Sequence, residues 1–238
     1  MTRFEIGITA FTQAIAVAIL IGLVIRGKWR LSWAFPLYHC FGLTLTSLII
    51  WWPARFYERG FYLTTLTLLH LAKFAIGLEV AWRTFHTFRG ARAVALRILL
   101  AIVAATAIAV AVLPVAGPAS PAYELALVQF HPRVISGTLW LMVATLAVAQ
   151  WYRIPIHPFH AALLGSFAVY LAVYTVLLTV LGRYGFDSMR EYVNRVDTAA
   201  FLVLMLRWFQ VAWRREGAVS VAQIALIRKV EMQPTAFA

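Results

Sequence analysis

Three ionisable residues, His70, Lys73 and Glu79, sit inside one apolar run, FYLTTLTLLHLAKFAIGLEVAWR, residues 61–83. The run is long enough to cross a bilayer. An ionisable group at that depth is costly unless something compensates it, so it marks the first place to look for function. His70, Lys73 and Gly77 follow i, i+3, i+7 spacing and share a helix face. At about 1.5 Å per residue, Lys73 falls near the membrane midplane, and Glu79 lies about 9 Å further on and some 120° round the helix. Lys73 and Glu79 are therefore not expected to pair directly: other partners must exist, or Lys73 must be neutral.

A second run, 192–213, offers those partners. Arg190, Asn194, Asp197 and Phe201 share a face at i, i+4, i+7, i+11 spacing. By depth, Asp197 is matched to His70 or Lys73, and Arg207 to Glu79. The expectation is two ion pairs between these helices, one in each half of the membrane. Such a set can bind an anionic or polar ligand, relay protons, or serve as glue between helices. Gln13 and His39 join it because a buried amide or imidazole needs hydrogen-bond partners. Thr9, Cys40, Thr44, Ser47, Thr64, Thr67, Tyr170 and Tyr174 could line the same space, although Ser and Thr are ordinary packing residues between membrane helices.

Positioning these groups requires membrane helices. The chain of 238 residues is 63% hydrophobic and only 13% charged, against about 25% charged in soluble domains. Seven segments reach the roughly 20 apolar residues that a span needs: 6–25, 31–52, 61–83, 94–115, 133–152, 160–182 and 192–213. The fold class expected is all-α, a polytopic bundle of seven transmembrane helices in one domain over residues 1–215. A short tail, 216–238, contains a mildly amphipathic stretch suited to lying on a leaflet. The start, MTRFEIGITAF, reads as a retained helix because no small-residue cleavage site follows.

The net charge of +12 gathers at helix ends, which is the membrane pattern and not a nucleic-acid footprint. One set of loops, with the tail, holds Arg26, Lys28, Arg30, Arg83, Arg89, Arg92, Arg97, Arg153, Arg207, Arg214, Arg215, Arg228 and Lys229 against two acids, Glu216 and Glu231. The other side balances Arg3, Arg55, Arg59, Arg133, Arg183, Arg190 and Arg195 with six acids. The positive-inside rule then puts the N-terminus outside and the C-terminus in the cytoplasm, in a bacterial cytoplasmic membrane. Trp29, Trp33, Trp82, Trp151, Trp208 and Trp213 fall at inner ends, Trp51 and Trp52 at an outer end, and Trp140 alone in mid-helix. Pro36 should kink the second helix or mark its true start. Trp29 with Pro36 and Trp151 with Pro158 share a spacing, and VAWR occurs at 80–83 and 211–214, a hint of a three-plus-one-plus-three repeat.

Signatures of enzymes are missing: no His-Glu-x-x-His and no Gly-x-Ser-x-Gly. The single cysteine, Cys40, excludes an intramolecular disulfide and a cysteine-based zinc site. His39 with His70 is the one pair suited by depth to ligating haem, and His86, His157 and His160 are too few for a convincing metal site. In outline the chain resembles microbial rhodopsins, but helix seven has no lysine for retinal. It is similar in helix count and orientation to SWEET sugar transporters, without a proline in helix one, and to the seven-helix sensor regions that precede bacterial histidine kinases. No cofactor is indicated. The reading is a non-enzymatic membrane protein with an intramembrane polar pocket, sensor-like or small-molecule-binding, its cytoplasmic partner touching Arg83 to Arg97 and the tail. The alternatives are a secondary transporter working through His70, Lys73 and Asp197, and a haem- or quinone-binding subunit.

Overall fold

The structure, a computed structural model, describes residues 3–56, 58–86, 97, 100, 101, 103, 104, 131–154, 156–184 and 186–215. Among these the secondary structure is entirely helical. The α-helices are α1 (Arg3–Ile25), α2 (Ala34–Trp51), the single turn α3 (Pro53–Phe56), α4 (Arg59–His86), α5 (His131–Trp151), α6 (Pro158–Tyr184) and α7 (Phe186–Trp213), with a 3-10 turn at Lys28–Arg30. Six of them are long and apolar enough to cross a membrane. Of the predicted fourth span, 94–115, only Arg97, Leu100, Ala101, Val103 and Ala104 are described, all helical. The connection 116–130 and the tail 216–238 lie outside the described residues.

The prolines explain the helix starts. Pro36 stands in the first turn of α2, which begins at Ala34, so it marks the true start and produces no kink. Pro158 is the first residue of α6 and Pro132 the second of α5, positions whose N–H would have no helical partner in any case. His157 caps α6, its Nδ1 accepting from the Phe159 N–H at 3.2 Å.

The six long helices close into a ring, α1–α2–α4–α5–α6–α7 and back to α1. Small residues set the closest approaches. A Cβ on Gly22 would meet the Trp213 indole at 2.8 Å, and that indole donates from Nε1 to Ala18 O at 3.1 Å, locking α7 against α1. A Cβ on Gly77 would meet Leu141 at 3.3 Å, so the face of α4 that carries His70 and Lys73 is turned toward α5.

The half of the bundle predicted to lie toward the cytoplasm is filled by aromatic rings. Trp208 and Phe167 are fully buried with centroids 4.4 Å apart, and Phe35 packs edge-on to Trp208 at 5.2 Å. Trp208 donates to Ser166 Oγ at 2.9 Å, and Ser166 donates on to Ala162 O at 2.7 Å. This corrects the reading of Trp208 as a headgroup anchor: depth alone suggested the interface, but the side chain points into the ring, where its N–H is satisfied. Trp33, Trp51, Trp82 and Trp151 are exposed, as interfacial rings should be, and Trp140 is exposed in mid-helix.

Candidate functional site

The other half of the interior is polar, and four helices contribute to it. Lys73 on α4 is 7% exposed. Its Nζ lies 5.4 Å from the centroid of the Tyr170 ring on α6, a cation–π approach. The Tyr170 hydroxyl donates to Asp197 Oδ1 on α7 at 3.1 Å. Lys73 and Asp197 are thus both held by Tyr170. No ion pair within 4 Å joins them among the described residues, and the Lys73 ammonium makes no hydrogen bond there. The expected direct Lys73–Asp197 pair is replaced by a relay through a tyrosine, because α6 enters between α4 and α7.

His70 is 3% exposed, and neither ring nitrogen has a hydrogen-bond partner among the described residues. Its ring lies 5.1 Å from that of His131 on α5 and 6.3 Å from Tyr174 on α6. Tyr174 stacks on Tyr170 at 6.0 Å, which closes the cluster. Thr67 donates to Leu63 O at 2.8 Å and also lies 3.0 Å from His131 Nε2. Thr67 and the imidazole therefore share one hydrogen bond whose direction is set by the His131 tautomer. From the end of α5 inward, His131, His70 and Lys73 form a file of nitrogen-bearing side chains.

Glu79 is elsewhere and is structural. Its carboxylate accepts from Ser32 Oγ at 2.8 Å, Trp33 N at 2.9 Å, Ala34 N at 2.8 Å and Arg83 Nε at 2.8 Å. The first amides of α2 are capped by a side chain from another helix, which satisfies orphan donors and complements the helix dipole. Arg83 also donates to Arg30 O at 3.1 Å. The predicted Glu79–Arg207 pair does not form: Arg207 is exposed and reaches Gln210 Oε1 at 3.4 Å. Matching depth cannot decide a pairing when the two side chains leave their helices on different sides.

The remaining candidates divide. Gln13 keeps a buried Nε2 without a partner among the described residues. His39 is boxed edge-on by Phe35 at 4.8 Å, Tyr38 at 5.4 Å and Trp208 at 5.4 Å. It belongs to the aromatic plug, packs against other neighbours than His70 does, and is poorly placed to share a haem with it. Asn194 is exposed and does not join Asp197. Cys40, Thr44 and Thr64 are exposed as well, and both threonines donate to their own i−4 carbonyls. His160 Nε2 donates to Leu31 O at 2.8 Å, and no group of three or more metal-ligating side chains converges among the described residues.

Two contributors were not legible in the sequence. Lys28, counted there only as a loop charge, is 4% exposed and donates to Val211 O and Arg214 O at 2.7 Å each, clasping the last carbonyls of α7. Gly27, at φ 67°, provides the left-handed turn that sends Lys28 inward. His131 read as a helix opener, and nothing in its spacing tied it to His70.

The chain matches no known protein family, no curated protein and no solved structure. The protein is all-α and membrane-embedded, with a polar cluster inside its ring of described helices.

Proposed function

We propose that this is a bacterial cytoplasmic-membrane protein of seven spans, N-terminus outside, forming one domain over residues 1–215 with a cytoplasmic tail at 216–238. It works as a sensor-like component that binds a small molecule and carries out no reaction. One observation carries the reading: a buried lysine ammonium that makes no hydrogen bond among the described residues and faces a tyrosine whose hydroxyl holds a carboxylate. A ligand bearing an acidic group supplies what Lys73 lacks. Asp197 accepts from Tyr170 and can accept from a donor group on the same molecule.

Access from outside is favoured by the division of the interior. His131, His70 and Tyr174 lie toward the proposed outer end, and the Phe35–Phe167–Trp208 plug blocks the other. A signal would pass to a protein partner at the basic cytoplasmic face, Arg83 to Arg97 and the tail. Gentle extraction followed by native mass spectrometry tests the reading. A small acidic molecule is expected on the wild-type chain and not on Lys73→Met; a bare mass for the wild type with no stabilisation by any small acid overturns it.

A second reading, a secondary transporter coupled to protons, is favoured by the His131–His70–Lys73 file alone. Flux into proteoliposomes that responds to a pH gradient and is abolished by Lys73→Ala would select it.

A further inference from the structure

Away from the polar cluster, α2 and α4 are joined by Glu79 near their predicted cytoplasmic ends and form one wall there. They bound a crevice of about 840 Å³ lined by Trp33, Leu37, Ala75, Leu78 and Trp82, with Leu100 and Val103 as the far wall. Its surface is almost wholly apolar, and Leu37, Trp82 and Leu100 are 55%, 46% and 65% exposed. It therefore opens sideways. From Ala75 to Trp82 it runs along the helix axis for about 10 Å, parallel to the chains of a surrounding lipid.

Charge distinguishes the mouth. Glu79 is the one acid in the wall among the described residues, and its carboxylate is spent on three donors at the start of α2 and on Arg83. The Arg30 guanidinium is exposed and lies 5.3 Å from the Trp29 ring, which in turn packs at 4.6 Å on Trp33 at the crevice edge. Arg26 is exposed on the same loop. An apolar slot along the helix axis, edged by indoles and neighboured through Trp29 by the exposed Arg30 guanidinium, matches an amphiphile with an anionic head and a hydrocarbon tail.

We propose that this crevice is a binding site for an anionic phospholipid, one acyl chain lying along α2 and α4 opposite Leu100 and Val103, and the phosphate at Arg30. The site is independent of the Lys73 cluster, so either can fail alone. The test uses the full chain, delipidated in detergent, offered phosphatidylglycerol or phosphatidylcholine with the same acyl chains and read by native mass spectrometry. The wild type is expected to retain phosphatidylglycerol with several-fold higher occupancy. Arg30→Gln should remove that preference while leaving the weaker, shared binding. Ala75→Phe should lower both several-fold by filling the slot, and Leu37→Phe is the alternative filling variant if the first does not fold. Equal occupancy of the two lipids on the wild type overturns the proposal. So does an unchanged lipid count in the filled variants, or a neutral isoprenoid retained in place of a phospholipid.

Discussion

Tyr170 holds Asp197 across the α6–α7 seam, hydroxyl to Oδ1 at 3.1 Å, while its ring face is turned to Lys73. One tyrosine thus touches both charges of the cluster, and neither charge reaches the other.

Removing that hydroxyl should be felt at once. Tyr170→Phe is expected to destabilise the protein by about 1.5–3 kcal/mol, the range for losing a hydrogen bond to a charged group. Thermal unfolding in detergent reads the loss. A double-mutant cycle with Asp197→Asn should show that the two effects are coupled and do not add; simple additivity would mean the bond contributes nothing.

Lys73 separates ligand site from glue. In a structural ion pair, deleting one partner costs about 3–5 kcal/mol because the other charge is stranded. Here Asp197 keeps Tyr170, so Lys73→Met is expected to leave the unfolding midpoint unchanged or raised while abolishing retention of a small acid. A large loss of stability would make the lysine a structural element.

Glu79→Gln keeps the size of the side chain and weakens the cap on α2. The expected cost is about 1–3 kcal/mol, the penalty for leaving buried donors poorly matched. Hydrogen exchange should quicken at the Trp33 and Ala34 amides and remain slow in α6. Slow exchange at both amides in the variant would show that the carboxylate is not what holds them.

Lys28→Met should loosen the far end of α7, where Val211 O and Arg214 O lose their donor. A cysteine at Ala212, introduced into a Cys40→Ala background, is expected to react with a maleimide in the Lys28→Met variant and to be protected otherwise. Equal protection in both would mean that packing against α1 alone keeps the end closed.

Orientation can be checked directly. In intact cells, a membrane-impermeant maleimide should label a cysteine placed at Ser188, and should label one at Arg153 only after lysis. The opposite pattern would invert the bundle and place the polar half of the interior toward the cytoplasm.

What the amino-acid order determined by itself was the solvent and the elements. Runs of apolar residues interrupted by proline and arginine specify spans and ends, because a bilayer requires every backbone hydrogen bond to close within its own helix. The described helices lie within about three residues of that reading except at the start of α7, which begins at Phe186, six residues before the expected 192, and Pro36 and Pro158 fall where a missing N–H is harmless. The shared face of His70, Lys73 and Gly77 was also legible, since helical periodicity is a local property. Partners were not. Glu79 meets Ser32 and the start of α2 instead of Arg207, Lys73 meets Asp197 only through Tyr170, and His131 meets His70. Those choices depend on which helices become neighbours in the ring and on their rotation. Both are set by distant small-residue contacts, Gly22 on Trp213 and Gly77 on Leu141, and no spacing along a single helix encodes them.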